Sequence, residues 1–216
     1  MLESATAAPR IETRRLSTRP ERVVVAGVVL VAASVAVQIA ANLVDFGVYH
    51  YRYALVDPND ESSLFAWIAG LAVAFAACVC LLRSSRAGAE QRRYLAAGLL
   101  LAVLALENRI RFHEGTVHGP LVYVPLLGAL FAALIVLSWR WPAAARRAVW
   151  AGLASLVFSL ALHKLAPTLL AHYGYGPGDW PYEVKVSLKE SGELAGWVLI
   201  ATGLLAAAPG RRSLRG

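Results

Sequence analysis

The sequence predicts an all-α, polytopic membrane protein: a bundle of about six transmembrane helices with both termini in the cytoplasm. Three observations lead to this prediction. The 216 residues are 58% hydrophobic and only 16% charged, whereas about a quarter of the residues in soluble domains are charged. The apolar residues form blocks about twenty residues long, enough to cross a hydrocarbon core of about 30 Å. Basic residues then gather between alternate blocks, which indicates the orientation.

Six apolar blocks follow one another along the chain. The connections between them are short, which predicts that consecutive helices pack antiparallel. The chain is therefore divided into a disordered basic cytoplasmic N-terminus (residues 1–22), a single transmembrane helical domain (23–208) and a basic cytoplasmic tail (209–216). The predicted spans are Val23 to Val44, Leu64 to Leu82, Tyr94 to about Phe112, Leu121 to Trp139, Ala148 to about Ala166, and about Lys189 to Ala208.

The distribution of charge fixes the predicted topology. Most of the 21 Lys and Arg residues precede the first block, follow the second or fourth, or end the chain. Positive charge accumulates in cytoplasmic loops, so these segments are assigned to the cytoplasm and the protein to the inner (plasma) membrane. The net charge of +7 is therefore a topology signal, and no nucleic-acid partner is predicted.

The opposite, extracytoplasmic ends of the helices carry the polar residues, including all five histidines. The third, fifth and sixth blocks each run out of uncharged residues before the membrane is crossed, at Glu107, His163 and Glu193. At about 1.5 Å per residue, each block covers only about 20 Å of the core. Because ionisable groups at this depth normally face a bundle interior or a wet cavity, we expect a polar cavity lined by these three helices.

Helical spacing groups the charged residues on faces. Glu107, Arg111, Glu114 and His118 follow an i, i+4, i+7, i+11 pattern, which is one face of a helix. Glu183 and Glu190 are seven residues apart on the last helix, where Gly192 and Gly196 form a GxxxG pair that lets another helix approach closely. A homo-oligomer or a partner membrane protein docking through these glycines is one expectation.

The carboxylates and histidines of this region are the candidates for chemistry. The stretch HEGTVH is one residue too long for the zinc motif H-E-x-x-H, so a single helix cannot present both of its histidines to one ion. A divalent metal such as zinc, held by residues from several helices, remains a hypothesis. The catalytic candidates are Glu107 and Glu114, and the candidate metal ligands are Glu107, His113, Glu114, His163, Glu190 and Glu193.

Three stretches, "LENRIRFHE", "DPNDESS" and "LKESGELAGWVLIATGL", resemble a group of uncharacterised bacterial multipass membrane proteins. The group has an acidic pair about six residues before His-Glu and a glutamate-rich start to the final helix, and the resemblance covers residues 55–207. At the acidic pair this chain has Glu107 followed by Asn108. A more distant similarity is to the alkaline-ceramidase-like membrane hydrolases, which implies zinc chemistry near one membrane face, although their H-x-x-x-H motif is absent here.

Three classes of function remain open. The first is a metal-dependent hydrolase of a membrane lipid, in which the metal or Glu114 activates water. The second is a structural or accessory membrane subunit, in which the charged residues form only a network of salt bridges. The third is a proton- or ion-linked carrier, which would need polar residues in both halves of the bundle. Polar residues in one half favour the first two classes.

The topology generates a direct prediction. In a background without Cys78 and Cys80, a cysteine placed by Gly176→Cys is expected to react with an impermeant thiol reagent added outside intact cells, and one placed by Ser4→Cys is not. The reason is that five arginines lie between position 4 and the first span, whereas position 176 lies in the opposite, aromatic segment. Labelling at position 4 without labelling at position 176 would invert the topology.

Overall fold

The computed structural model describes residues 20–53, 55–57, 63–85, 88–110 and 119–207. Over these residues the fold is all-helical, with no strand, which confirms the predicted class. The predicted tail, nearly all of the predicted N-terminal segment, and residues 111–118 with His113, Glu114 and His118 lie outside the described part. The helices are α1 (Pro20–Val44), α2 (Leu64–Ser84), α3 (Gln91–Ile110), α4 (Gly119–Ser138), α5 (Ala143–His172) and α6 (Trp180–Ala206), with a π-helical segment at Asp45–Tyr49 and a 3-10 turn at Gly88–Glu90.

Four segments are long and apolar enough to cross a membrane: Pro20–Tyr49, Leu64–Ser84, Leu121–Ser138 and Ala143–His172. The remaining two helices carry more charge. Arg92, Arg93 and Glu107 lie on α3, and α6 carries several charged residues in its first half. These two helices also supply the carboxylates of the predicted cavity.

The last helix, α6, is the central element of the bundle. It packs against α5, α1 and α2, and it is buried through most of its length, with Leu194, Ile200 and Leu204 among the least exposed side chains of the protein. A helix surrounded by protein does not need an apolar surface toward lipid. This explains why α6 can carry charged residues that a lipid-facing helix would exclude.

Glycines and serines form the contact between α5 and α6. A Cβ atom added to Gly152 would lie 2.6 Å from the carbonyl oxygen of Gly196, so the two backbones touch at this point. Nearby, the hydroxyl of Ser155 donates a hydrogen bond of 2.7 Å to the Gly192 carbonyl, and that of Ser159 donates one of 2.8 Å to the Lys189 carbonyl. The GxxxG pair of α6 therefore brings α5 close within the same chain.

Antiparallel packing of α1 on α6 defines two ends of the bundle. Gly27, near the start of α1, lies against Thr202, near the end of α6. At the same end, Nη2 of Arg83 donates a hydrogen bond of 3.2 Å to the Leu205 carbonyl, where a positive charge is favourable because the carboxyl end of a helix is partially negative. We call this the basic end, and the opposite end, with Asp45 and Trp180, the acidic end.

The boundaries of two helices differ from the predicted spans. The last helix begins at Trp180 rather than near Lys189, and α5 continues through Pro167 to His172. The early start of α6 has a physical reason: Pro181 suits the first turn of a helix, and the first turns bury Glu183, Val186 and Ser187 against protein. An apolar block marks only the lipid-like part of a helix, so it could not reveal these turns.

The α5–α6 contact predicts a large difference between two identical substitutions. Gly152→Ala should destabilise the protein by about 1 to 3 kcal/mol, because the new methyl group meets a backbone carbonyl that cannot rotate away. Gly128→Ala, at an exposed position of α4 where nothing lies within 4 Å, should be neutral or slightly stabilising. Thermal melting of the purified protein in detergent compares the two, and equal melting temperatures would contradict the close contact.

Candidate functional site at the acidic end

Two polar groups lie on nearly opposite sides of α6 at the acidic end. Glu193 follows Ser191 by two residues, and two residues correspond to about 200° around a helix. Glu193 therefore points toward α2, α3 and α4, whereas Ser191 faces α1. The sequence predicted a cavity lined by the third, fifth and sixth helices. The structure brings Glu107 and Glu193 of two of these helices to one cavity, but its other walls come from α2 and α4 rather than α5. The sequence did not predict the second group.

The first group surrounds a small cavity between α2, α3, α4 and α6, here called the carboxylate cavity. The structure brings Glu107 and Glu193 to it from two different helices, and both are half-buried. The space between the side chains has room for about one water molecule. The carboxylate cavity is lined by Val73, Leu104, Glu107, Tyr123, Glu193 and Trp197.

Chemically, the carboxylate cavity is an acidic pocket with apolar walls. The carboxylates of Glu107 and Glu193 and the phenol of Tyr123 line the same space. The two carboxylates thus lie beside the apolar side chains of Leu104 and Trp197. Such a pocket is suited to holding a cationic species or to exchanging protons with a water molecule.

The other predicted site residues lie elsewhere. His163 is exposed on α5, and Glu190 is half-buried with its carboxylate in an ion pair with Lys189 of the same helix. His113 and Glu114 lie outside the described residues. Among the residues that the structure does describe, no three His, Cys, Asp or Glu side chains are grouped closely enough to hold a metal. The six-ligand metal site stays a prediction from sequence.

The second group is a ladder of polar side chains between α1 and α6, here called the polar layer. The amide nitrogen of Asn42 donates a short hydrogen bond to the hydroxyl of Ser187, and the hydroxyl of Ser191 donates one of 3.5 Å to the amide oxygen of Gln38. The α1 residues of this layer follow an i, i+4, i+7 pattern, which is the sequence signal that could have revealed it. The polar layer consists of Gln38, Asn42, Asp45, Glu183, Ser187 and Ser191, all of them buried.

The segment after α1 folds over the outer edge of the polar layer. Its backbone nitrogen at Tyr53 donates a hydrogen bond of 3.3 Å to Asp45 Oδ1, and the hydroxyl of Tyr51 donates one to the Glu183 carboxylate. Partial burial, then this hydrogen bond and the negative charge of Glu183, raise the pKa of Tyr51 above its ordinary value. The phenol therefore stays protonated and remains a donor.

Aromatic packing closes the same edge. The rings of Phe46 and Trp180 meet edge to face with their centroids 4.6 Å apart, and the ring of Tyr51 packs against the other side of Phe46 at 5.4 Å. Phe46 and Tyr51 come from the segment that follows α1, and Trp180 is the first residue of α6. The aromatic cluster separates the polar layer from the exposed outer end of the bundle.

The carboxylate cavity predicts that its two acids are energetically coupled. The change in the free energy of unfolding in the double variant should differ from the sum of the changes in Glu107→Gln and Glu193→Gln. This difference, the coupling energy, should be about 0.5 to 3 kcal/mol. A matched cycle that pairs Glu107→Gln with Glu21→Gln, which changes an exposed residue of the first turn of α1, should be additive. Melting in detergent measures both cycles. Additive effects in both cycles would show that Glu107 and Glu193 do not interact, which would contradict a shared cavity.

The comparisons with known proteins identify a family but no activity. No protein with a curated description and no solved structure matches the chain. The model of the family described as "Domain of unknown function (DUF8692)" matches residues 53–207. This range includes every residue of the carboxylate cavity, whereas the α1 half of the polar layer precedes it. Because the match spans well over half of the chain, the protein belongs to the DUF8692 family.

Proposed function

We propose that the protein is a six-span hydrolase of the bacterial inner membrane that uses the carboxylate cavity to activate water against a membrane lipid. Both termini lie in the cytoplasm, and the acidic end faces the outer leaflet. The observation that supports this function is that Glu107 and Glu193, from different helices, face one small space with room for about one water molecule.

The chemistry follows from that arrangement. A carboxylate of the cavity accepts a proton from water while the water oxygen attacks the ester or amide carbon of the lipid. The bond to the leaving group then breaks, and the same proton passes to the leaving oxygen or nitrogen. Tyr123, which lines the same cavity, is the proposed donor of a hydrogen bond to the oxygen that becomes negative, the role of an oxyanion donor.

A metal-dependent form of the same proposal uses Glu107 and Glu193 of the cavity together with two predicted ligands that lie outside the described residues. Glu107 and Glu193 supply carboxylate oxygens, and His113 and Glu114, which follow Glu107 in the chain, supply the others. A bound divalent ion such as zinc would lower the pKa of its water and so generate hydroxide at neutral pH. His163 and Glu190 have no part in it, because the first is exposed and the second is paired with Lys189.

The distribution of polarity disfavours a carrier. From Leu194 to the basic end, the buried side chains of α6 are almost all apolar, including Ile200 and Leu204. A proton or ion that reached the carboxylate cavity would find few polar groups to carry it across the other half of the bundle. An enzyme that takes its substrate from one leaflet needs polarity at one end only.

A second candidate function is an accessory membrane subunit. The observation that favours it is the Lys189–Glu190 ion pair, formed between neighbouring residues of the central helix, because it shows that part of the charge is neutralised within the chain. In that case the carboxylate cavity would contribute to stability and assembly without turnover.

The hydrolase proposal predicts a change in lipid composition. Purified protein in vesicles made from a bacterial lipid extract should release a water-soluble head group or a fatty acid, detected by mass spectrometry. Glu107→Gln and Glu193→Gln should each reduce release by at least about 10²-fold, as expected for loss of an acid–base group. The matched control, Glu21→Gln, should act as the wild type does.

Chelation separates the two forms of the enzyme from the accessory subunit. Activity and melting temperature that fall with EDTA and return with zinc indicate the metal-dependent form, and activity unaffected by EDTA indicates proton transfer by the carboxylates alone. The hydrolase proposal is contradicted if the wild-type protein releases nothing from any lipid of the extract and its melting temperature does not change with EDTA or zinc. That result would favour the accessory subunit.

A further inference from the structure

Three oxygen atoms of the polar layer are buried without a hydrogen-bond partner. They are Oδ1 of Asn42, Oδ2 of Asp45 and Oε2 of Glu183, on residues that are 0%, 1% and 2% exposed. Buried polar atoms almost always have a partner, and each exception costs about 1 to 3 kcal/mol. Three exceptions in one layer, two of them on carboxylates, indicate a ligand that accepts electron pairs from oxygen.

The register between α1 and α6 orders these residues along one ladder. Gln38 pairs with Ser191, and Asn42, one turn later on α1, pairs with Ser187, one turn earlier on α6. The next residues of this ladder are Asp45 on the α1 side and Glu183 on the α6 side. Consistently, both carboxylates act electrostatically on the same phenol, that of Tyr51.

Among the described residues, no cationic side chain forms an ion pair with Asp45 or Glu183. Lys185 acts on Glu183 electrostatically, but its ammonium lies over the ring of Tyr182, 4.5 Å from the centroid, and forms no ion pair with Glu183. Arg52 is exposed. The two buried carboxylates therefore place up to two negative charges in a layer whose other members are neutral amides and hydroxyls.

The backbone at this point is irregular. Asp45 begins a π-helical segment, and π-helical turns are frequent at functional sites because they turn a side chain out of the regular helical register. His50 and Tyr51 then adopt left-handed conformations, with φ of 53° and 60°, which are unfavourable for residues other than glycine. Strain of this kind is retained where the surrounding structure needs a particular geometry.

From these observations we propose that the polar layer is a calcium site, with ligand oxygens from Asn42, Asp45, Glu183 and Ser187. All four ligands are oxygen atoms, which hard cations such as Ca²⁺ prefer, and no nitrogen or sulfur ligand for zinc is present among them. A divalent ion balances the two carboxylates. Water molecules complete the six to eight ligands that Ca²⁺ takes.

The consequence concerns the attachment of α1. Ligands from α1 and α6 meet in this layer, and residues 20–52 precede the part of the chain that matches the family model. Calcium at this point joins the preceding helix to the central helix of the family domain. This inference is independent of the hydrolase proposal, because it uses the opposite side of α6.

The test is a melting experiment on the full chain in detergent after treatment with EGTA. Calcium at about 100 times its dissociation constant should raise the melting temperature of the wild type by at least about 5 °C, whereas sodium, magnesium and zinc should not reproduce the rise. The rise should vanish in Asp45→Asn and in Glu183→Gln. It should persist in Glu107→Gln, which changes the carboxylate cavity, and in the exposed control Glu21→Gln.

Direct binding keeps the test decisive if the acidic variants do not fold. Titration of wild-type protein with calcium, followed by calorimetry or native mass spectrometry, should find one ion per chain, and the milder variant Ser187→Ala should bind it at least about tenfold more weakly. The proposal is overturned by the absence of calcium binding, by a calcium response that survives in both acidic variants, or by a melting temperature that responds only to pH, since protons alone would then neutralise the layer.

Discussion

The structure depends on the close contact between α5 and α6. At Gly152 and Gly196 the two backbones touch, and serine hydroxyls of α5 satisfy carbonyl groups of α6. This contact holds α6 inside the bundle, where α1 and α2 cover much of the remaining surface. Because its neighbours are protein rather than lipid, the central helix can carry carboxylates at a depth where an isolated helix could not.

A central helix can present different chemistry on different sides, and α6 does so at the acidic end. Toward α3 and α4 it offers Glu193 to a cavity with apolar walls. Toward α1 it offers a ladder of hydroxyl and carboxylate groups that meets amides and an aspartate. The first group lies wholly within the region that defines the family, and the second requires the preceding helix. The two groups therefore suit separate roles, one in chemistry on water and one in the attachment of α1.

The concentration of polar residues at one end gives the bundle a direction. Beyond Leu194 the interior is packed with apolar side chains, and Arg83 binds the carbonyl end of α6 at the basic end. A tightly packed apolar half fixes the helices, so the other half can hold the carboxylate cavity and the polar layer.

The sequence by itself determined the helical class and the presence of helices apolar enough to cross a membrane, because apolar blocks follow from the thickness of a membrane. Of the six predicted spans, four in the described part of the chain are long and apolar enough to cross a membrane. The sequence also placed Glu107 and Glu193 at one depth, since helical rise converts position into distance. Only the tertiary structure decided which helix lies in the centre, that Tyr123 lines the same cavity as these two acids, and that His163 is exposed. Only the tertiary structure also showed that the face of α1 with Asn42 and Asp45 packs against α6. Spacing along one helix predicts which residues share a face, but it does not predict which helix that face contacts.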